Sequence, residues 1–181
     1  MFLLKQYPEY IFNFEGAVKY AWMKEYYPAQ YEEMKKFIES GRWHISGASW
    51  DATDTLVPSI ESAIRNIMLG QNYYRKEFGV ESTDIFLPDC FGFGWTLPAI
   101  ASHCGLIGFS SQKLQWRNKP FYGNDKYPFT VGLWQGIDGS TIMMTHGYDY
   151  NQRFEDGDLS ENKDLLELTG HSPLHMVYRY Y

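Results

Sequence analysis

The sequence has little of several features that identify whole classes of protein. It contains only two cysteines, Cys90 and Cys104, and neither lies in a CxxC or Cys/His spacing that would indicate a disulfide scaffold or a structural zinc finger. It has no block of lysine and arginine and a formal net charge of −6, which argues against nucleic acid as a partner because a phosphate backbone requires a basic surface. No stretch approaches the roughly 20 apolar residues of a membrane span. The opening MFLLKQYPEY has too short an apolar run for a signal peptide, so we expect a soluble protein and leave cytoplasm and periplasm open.

Aromatic residues, in contrast, are abundant. They make up 18% of the 181 residues, and a chain of this length ordinarily forms one domain with a sizeable core. Flat rings with polar tips suit either such a core or a groove that stacks on sugar rings. We expect most of them to pack in the core.

Three segments in the first half of the chain have the pattern of helices. Residues Glu15–Tyr27 and Ala29–Ser40 are separated by Pro28, which removes a backbone donor and disfavours helix in the residue before it. A third helix is predicted from Pro58 to Gly79, because apolar residues recur there at intervals of three to four, at Ile60, Ile64, Ile67, Met68, Tyr74 and Phe78.

Short apolar runs between these helices and beyond them predict strands. The predicted strands are Trp43–Ser46, Asp84–Leu87, Leu106–Phe109, Gly132–Gly136 and Thr141–Thr145, the last two joined by the turn IDGS, and a helix is predicted over Ala99–Cys104. Strands that alternate with helices indicate an α/β domain with a mostly parallel sheet, in which ligands bind at the carboxyl ends of the strands.

Carboxylates and a histidine follow several of these strands. Asp89 lies in LPDCFGFG after the predicted strand DIFL, where it is positioned for chemistry, although an aspartate there could equally cap the helix that follows. Asp51 and Asp54 are more typical of residues that stabilise a loop. His146 could ligate a metal, but no HxH or HExxH pair supports this, and a histidine held by hydrogen bonds is the more common case.

Several longer motifs, in this order, resemble glycoside hydrolase family 38, the retaining α-mannosidases, and in particular its bacterial members. These motifs are YPAQYEEMKKFIESGRW, GASWDATD with PSIES, LGQNYYRKEFGV, LPDCFGFGWTLP, FSSQKLQW, LWQGIDGS and HGYDYN. The resemblance implies a partial, distorted (β/α)7-type barrel with mostly parallel strands, and a protein that hydrolyses terminal α-linked mannose of glycans.

The same resemblance assigns roles to individual residues. Asp89 matches the family aspartate that is both nucleophile and zinc ligand, and Phe91 matches a residue that lines the sugar subsite. Lys113 falls where the family places a basic residue facing the substrate, and Tyr148 with Asp149 falls where a Tyr-Asp pair lines the pocket. The implied chemistry is a covalent glycosyl intermediate on Asp89, with Zn²⁺ holding sugar hydroxyls.

Other parts of the family site have no counterpart in the sequence. The family takes two zinc ligands from an HxD pair on its first strand, and no HxD occurs here, while its remaining histidine ligand and its acid/base aspartate lie further downstream. We therefore expect residues 1–181 to form a single, incomplete catalytic domain, inactive in isolation and prone to self-association through exposed apolar surface. The alternative is a catalytically silent α/β module that binds sugar or has a structural role. A related carbohydrate-active α/β barrel such as a polysaccharide deacetylase, which also uses Asp and His metal sites, is a further alternative.

Overall fold

The structure is a computed structural model that describes residues 1–90, 92–111 and 131–146. Residue 146 is described by its backbone alone. The described residues contain helices and strands in alternation. The helices are Phe2–Gln6 (α1), Ala17–Tyr26 (α2), Pro28–Glu39 (α3), Ile60–Phe78 (α4) and Leu97–His103 (α5). The strands are Phe12–Phe14 (β1), Trp43–Ile45 (β2), Asp84–Phe86 (β3), Gly108–Ser111 (β4), Val131–Gln135 (β5) and Thr141–His146 (β6).

The strands form two sheets in which parallel pairing predominates. β1 pairs in parallel with β2, and the second sheet has the order β3-β4-β6-β5. Within it, β3 with β4 and β4 with β6 are parallel pairs, while β5 is antiparallel to β6 across the turn at Gly139. The mostly parallel α/β fold that the sequence predicts is confirmed, whereas closure into a barrel remains a prediction.

The two sheets meet where the chain leaves β2. Ala48 donates its backbone N–H to the carbonyl oxygen of Asp84 at 2.9 Å, and the Asp84 carboxylate accepts hydrogen bonds from the Ser46 hydroxyl at 2.8 Å and from the Gly47 N–H at 3.0 Å. These bonds place the segment that follows β2 beside β3. The described parallel strands therefore share one edge at their carboxyl ends.

Helix α4 has clear signals at both of its ends. The Ser59 hydroxyl accepts the backbone N–H of Ser62, and the helix ends at Gly79, whose φ of 69° is the left-handed conformation that glycine adopts without steric cost. In the middle of the helix, Gly70 packs against the backbone of Ala48, and a Cβ at this position would overlap that carbonyl oxygen. The absence of a side chain thus lets α4 approach the loop after β2.

The apolar interior consists mainly of two clusters. One is rich in aromatic rings and lies between β1–β2 and the helices, with Leu4, Ala17, Tyr20, Tyr31, Met34, Trp43, Ile45 and Tyr74. The other covers the larger sheet and contains Ala48, Ile67, Ile85, Leu87, Leu97, Ile100, Ala101, Leu106, Phe109, Ile142 and Met144. Many of the aromatic rings are core residues, as expected, and the parallel edge is anchored on both sides by packed apolar side chains.

Large apolar side chains also remain exposed in the described ranges, including Phe2, Trp22, Val57 and Leu133. The expected self-association through such surfaces remains a prediction. None of the helices in the described part of the chain combines the length and apolar character that crossing a bilayer requires.

Candidate active site

The carboxyl ends of β1, β2 and β3 come together at one edge. Glu15 follows β1 directly, and Gly47 lies just beyond β2. A Cβ added at Gly47 would lie 3.0 Å from the Cβ of Glu15 and 3.5 Å from the Cβ of Phe86 on β3. Gly47 has a φ of 72°, so its conformation and its lack of a side chain both serve this close approach. Such an edge is where α/β proteins ordinarily bind their ligands.

Asp89 lies at this edge, in a turn with Pro88 that begins two residues after β3. Leu87, between strand and turn, is buried and donates its backbone N–H to the carbonyl oxygen of Ser110 at 3.0 Å, which anchors the base of the turn to β4. The Asp89 side chain is exposed. Its carboxylate is therefore presented to solvent on a firmly held piece of backbone.

The alternative role of Asp89 as a helix cap does not agree with the structure. The helix that follows, α5, begins at Leu97, and its N-cap residue is Thr96. Asp89 precedes that helix by eight positions, whereas a capping side chain must reach the first-turn N–H groups immediately after it. The capping interpretation was wrong because the helix starts only at Leu97, too far along the chain for the Asp89 side chain to cap its first turn.

The loop after β2 packs against the loop after β3. The Cys90 thiol donates to the carbonyl oxygen of Thr53 at 3.2 Å. The Thr55 hydroxyl donates to the carbonyl oxygen of Gly92 at 3.0 Å and accepts the N–H of Gly94 at 3.4 Å. Residues 53–55 thereby brace the segment that carries Asp89.

Asp51 and Asp54 stabilise this loop, as their sequence context predicts. Oδ1 of Asp54 accepts the N–H of Leu56 at 2.7 Å, and Oδ1 of Asp51 accepts the N–H of Ala52 at 2.9 Å. Asn66 on α4 holds the backbone of Asp51 through both of its amide atoms.

The site is acidic. Burial raises the pKa of the Cys90 thiol, and the nearby carboxylates of Asp54, Asp89 and Glu15 raise it further. The thiol therefore stays protonated and acts as a hydrogen-bond donor instead of a nucleophile. Glu15 is balanced by an ion pair with Lys19, one helical turn along the chain.

Glu15 was missed in the sequence because β1 was missed. The strand has only three residues, Phe12–Phe14, and the aromatic run YIFNF just before the first predicted helix was the signal that could have revealed it. Recognition of this strand would have placed Glu15 at the carboxyl end of a strand.

The remaining residues assigned by resemblance, Phe91, Lys113, Tyr148 and Asp149, lie outside the described residues. His146 is the last residue of β6, and its side chain is likewise not described. Of the predicted site, the structure thus places only Asp89.

The described residues do not by themselves fit a zinc ion. Zinc ordinarily takes four ligands from histidine, cysteine and carboxylate side chains. Within residues 1–90, 92–111 and 131–146, no three such side chains come together in an arrangement that could hold a metal. Asp89 can contribute at most one part of a ligand set.

Comparison with known proteins agrees with the motifs. The family model described as "Glycosyl hydrolases family 38 N-terminal domain" matches residues 1–170. The chain is 37% identical over 166 residues to alpha-mannosidase G of Dictyostelium discoideum, and 33% identical over 142 residues to alpha-mannosidase 2C1 of Homo sapiens. These matches cover 88% and 78% of this chain but only 15% and 13% of the relatives, so the chain spans a small part of their length.

Solved structures show the same fold at lower sequence identity. An alpha-mannosidase from Enterococcus faecalis V583 matches with a TM-score of 0.65 and 21% identity over 80% of this chain and 16% of that one. A 4-alpha-glucanotransferase from Thermococcus litoralis matches with a TM-score of 0.64 and 16% identity, over 80% of this chain and 22% of that one. The backbone arrangement is thus shared with proteins of different names. Because the family model matches nearly the whole sequence, the chain belongs to glycosyl hydrolase family 38, as part of its N-terminal domain.

Proposed function

We propose that the complete protein containing this chain is a retaining α-mannosidase that removes terminal α-linked mannose from glycans, and that Asp89 is its nucleophile. The observation that carries the proposal is an exposed carboxylate, on a braced turn at the carboxyl end of a buried parallel strand, in a family 38 domain. The named α-mannosidases among its relatives support the same substrate class. Residues 1–181 then belong to a single catalytic domain that extends beyond them.

The chemistry assigned to this chain is nucleophilic. An Asp89 oxygen attacks the anomeric carbon of the terminal mannose, the bond from that carbon to the glycosidic oxygen breaks, and a covalent glycosyl ester forms. A second carboxylate, outside this chain, protonates the departing oxygen. Water then attacks the anomeric carbon and gives a proton to the second carboxylate, the ester bond breaks, and Asp89 is regenerated with mannose released in its original configuration.

The braced loop supplies the orientation that this attack requires. A nucleophile gains rate when its position is held before the substrate arrives, because reorganisation need not occur during the reaction. The bond from Cys90 to Thr53 and the base of the turn at Leu87 hold the backbone on either side of Asp89. The acidic surroundings favour a sugar substrate over an anionic one.

The other residues assigned by resemblance complete the proposal. Phe91, Lys113, Tyr148 and Asp149 would line the sugar subsite. A Zn²⁺ ion would be bound by Asp89 together with ligands that this chain does not contain. Zinc content of the complete protein, measured by elemental analysis with and without Asp89→Asn, tests this part separately from activity.

The direct test is Asp89→Asn in the complete protein, assayed with an aryl α-mannoside. We expect kcat/KM to fall by at least about a thousandfold, because the amide cannot form the glycosyl ester. Asp138→Asn is the matched control: this exposed aspartate lies in the turn before β6, at the opposite edge of the sheet. The proposal is wrong if the Asp89 variant retains the wild-type rate, or if the control loses as much activity.

A further inference from the structure

Trp95 has an unusual environment for a tryptophan. It is 80% exposed, the highest value among the tryptophans of the described residues; Trp22 is 51% exposed and Trp43 is 7% exposed. Full burial of a large apolar side chain ordinarily stabilises the folded state by roughly 1.5–3 kcal/mol. The Trp95 ring forgoes this gain within the part of the chain that carries Asp89.

The backbone around Trp95 is held in place on both sides. Before it, the N–H of Gly94 donates to the Thr55 hydroxyl, which itself donates to the carbonyl oxygen of Gly92. After it, the carbonyl oxygen of Thr96 accepts the N–H of Ile100 in the first turn of α5. The indole is therefore presented by a fixed segment, so little conformational entropy of the backbone is lost when a ligand binds.

Trp95 and Asp89 both lie in the chain between β3 and α5. They are six positions apart, so their Cα atoms are separated by at most about 20 Å. Leu56, 60% exposed, packs over Gly92 and extends the apolar surface beside this loop. The chain between β3 and α5 thus carries both the Asp89 carboxylate and an exposed apolar surface.

We propose that Trp95 is a stacking platform for a sugar beyond the scissile bond, on the leaving-group side, so that the site prefers oligosaccharides over simple mannosides; this rests on the proposed function. A pyranose ring has one face of C–H groups and a rim of hydroxyls. The C–H face stacks on an indole, whose quadrupole attracts polarised C–H bonds, while the rim hydroxyls donate to carboxylates such as Asp54. The platform and the acidic edge match these two chemistries.

The test compares two substrates of the complete protein. α-Mannosyl fluoride has no sugar in the leaving group, whereas an α-linked mannotriose has two. We expect Trp95→Ala to lower kcat/KM for mannotriose by about tenfold, the equivalent of about 1.4 kcal/mol, and to leave the value for α-mannosyl fluoride within about twofold. Trp95→Phe should retain most of the activity on mannotriose because it keeps a flat ring.

A second measurement separates this proposal from the proposed function. With Asp89→Asn as the background, which lacks the nucleophile, calorimetry should show that Trp95→Ala weakens the binding of mannotriose about tenfold. Trp22→Ala, which removes another exposed tryptophan from the outer helix α2, should change neither binding nor kinetics. If wild type cleaves neither substrate, the proposed function fails, and the calorimetry still decides the role of Trp95.

Two results would overturn the proposed role of Trp95. If Trp95→Ala lowers activity on both substrates equally, the ring supports the fold or the nucleophile and does not contact a second sugar. If mannotriose binding and cleavage are unchanged, the ring contacts no substrate at all.

Discussion

Replacement of Asp84 tests how the two sheets are joined. This side chain is only 4% exposed, and its carboxylate accepts three hydrogen bonds: from the Ser46 hydroxyl at 2.8 Å, from the Gly47 N–H at 3.0 Å and from the Ser82 hydroxyl at 2.8 Å. Two of these donors belong to the segment after β2. The carboxylate therefore connects that segment to β3, the strand that leads to Asp89.

Asp84→Ala should destabilise the fold by about 2–3 kcal/mol. The Gly47 N–H is left buried without its acceptor, which costs about 1–3 kcal/mol, and the two hydroxyls lose a charged partner. Part of this loss is offset because burial of an ionised carboxylate is itself unfavourable. Asp84→Asn should lose only about 1 kcal/mol, since its carbonyl oxygen, in the place of Oδ1, can accept from Gly47 and from the Ser82 hydroxyl, while the Ser46 hydroxyl turns to accept from its NH₂ group.

The dependence on pH follows from the pKa of Asp84. Burial raises this pKa above its ordinary value of 3.8, and the hydrogen bonds from Gly47, Ser46 and Ser82 lower it only in part. The folded state therefore holds the proton more tightly than the unfolded state does. The resulting stabilisation is fully present below the unfolded pKa and is lost as pH rises through the folded pKa. The stability of wild type relative to Asp84→Asn should accordingly fall as pH rises above about 4.

Urea unfolding of the chain, followed by tryptophan fluorescence at several pH values, measures these differences, and amide hydrogen exchange at Gly47 reports on the junction itself. Exchange at Gly47 should accelerate in the alanine variant more than in the asparagine variant. An alanine variant as stable as wild type would refute the reasoning. An asparagine variant less stable than the alanine variant would also refute it. The same holds if the stability of wild type relative to Asp84→Asn increases with pH.

Two further substitutions test how α4 is placed and started. Gly70→Ala should destabilise the fold by about 1–3 kcal/mol, because its Cβ would overlap the backbone at Ala48. This loss should exceed the gain from alanine's higher helix propensity. A variant with a raised thermal unfolding temperature would contradict this packing. Ser59→Ala should cost about 1 kcal/mol, because the N–H of Ser62 loses its capping acceptor, and Ser59→Asp should restore the loss in urea unfolding.

Local patterns in the sequence predicted most of the secondary structure. The long helix at Ile60–Phe78 was evident from its apolar period and its glycine stop, and the pairing of β5 with β6 was evident from the Asp-Gly turn. Bounds moved by a few residues, as for the strand predicted at Leu106–Phe109 and found at Gly108–Ser111. The short elements α1 and β1 were missed, because three to five residues carry too little periodicity to be recognised.

The features of the candidate site were likewise predictable from the sequence only in part. The motif around Asp89 indicated the family and the residue that we propose as nucleophile, because a family motif is a local string of residues. Whether that aspartate caps a helix was undecidable from the string, and only the position of α5 excluded it. The neighbourhood of Glu15 and the brace from Thr55 to Gly92 could not be predicted either.

The sequence by itself determined the family, the parallel α/β class and the residue that carries the proposed chemistry. Only the tertiary structure decided that Asp84 joins the two sheets, that Thr55 braces the Asp89 loop and that Trp95 remains exposed. The physical reason is that helical period, turn chemistry and motif spacing depend on neighbours along the chain. Contacts between residues 37 or 38 positions apart depend instead on how completed elements pack, and local patterns do not contain that information.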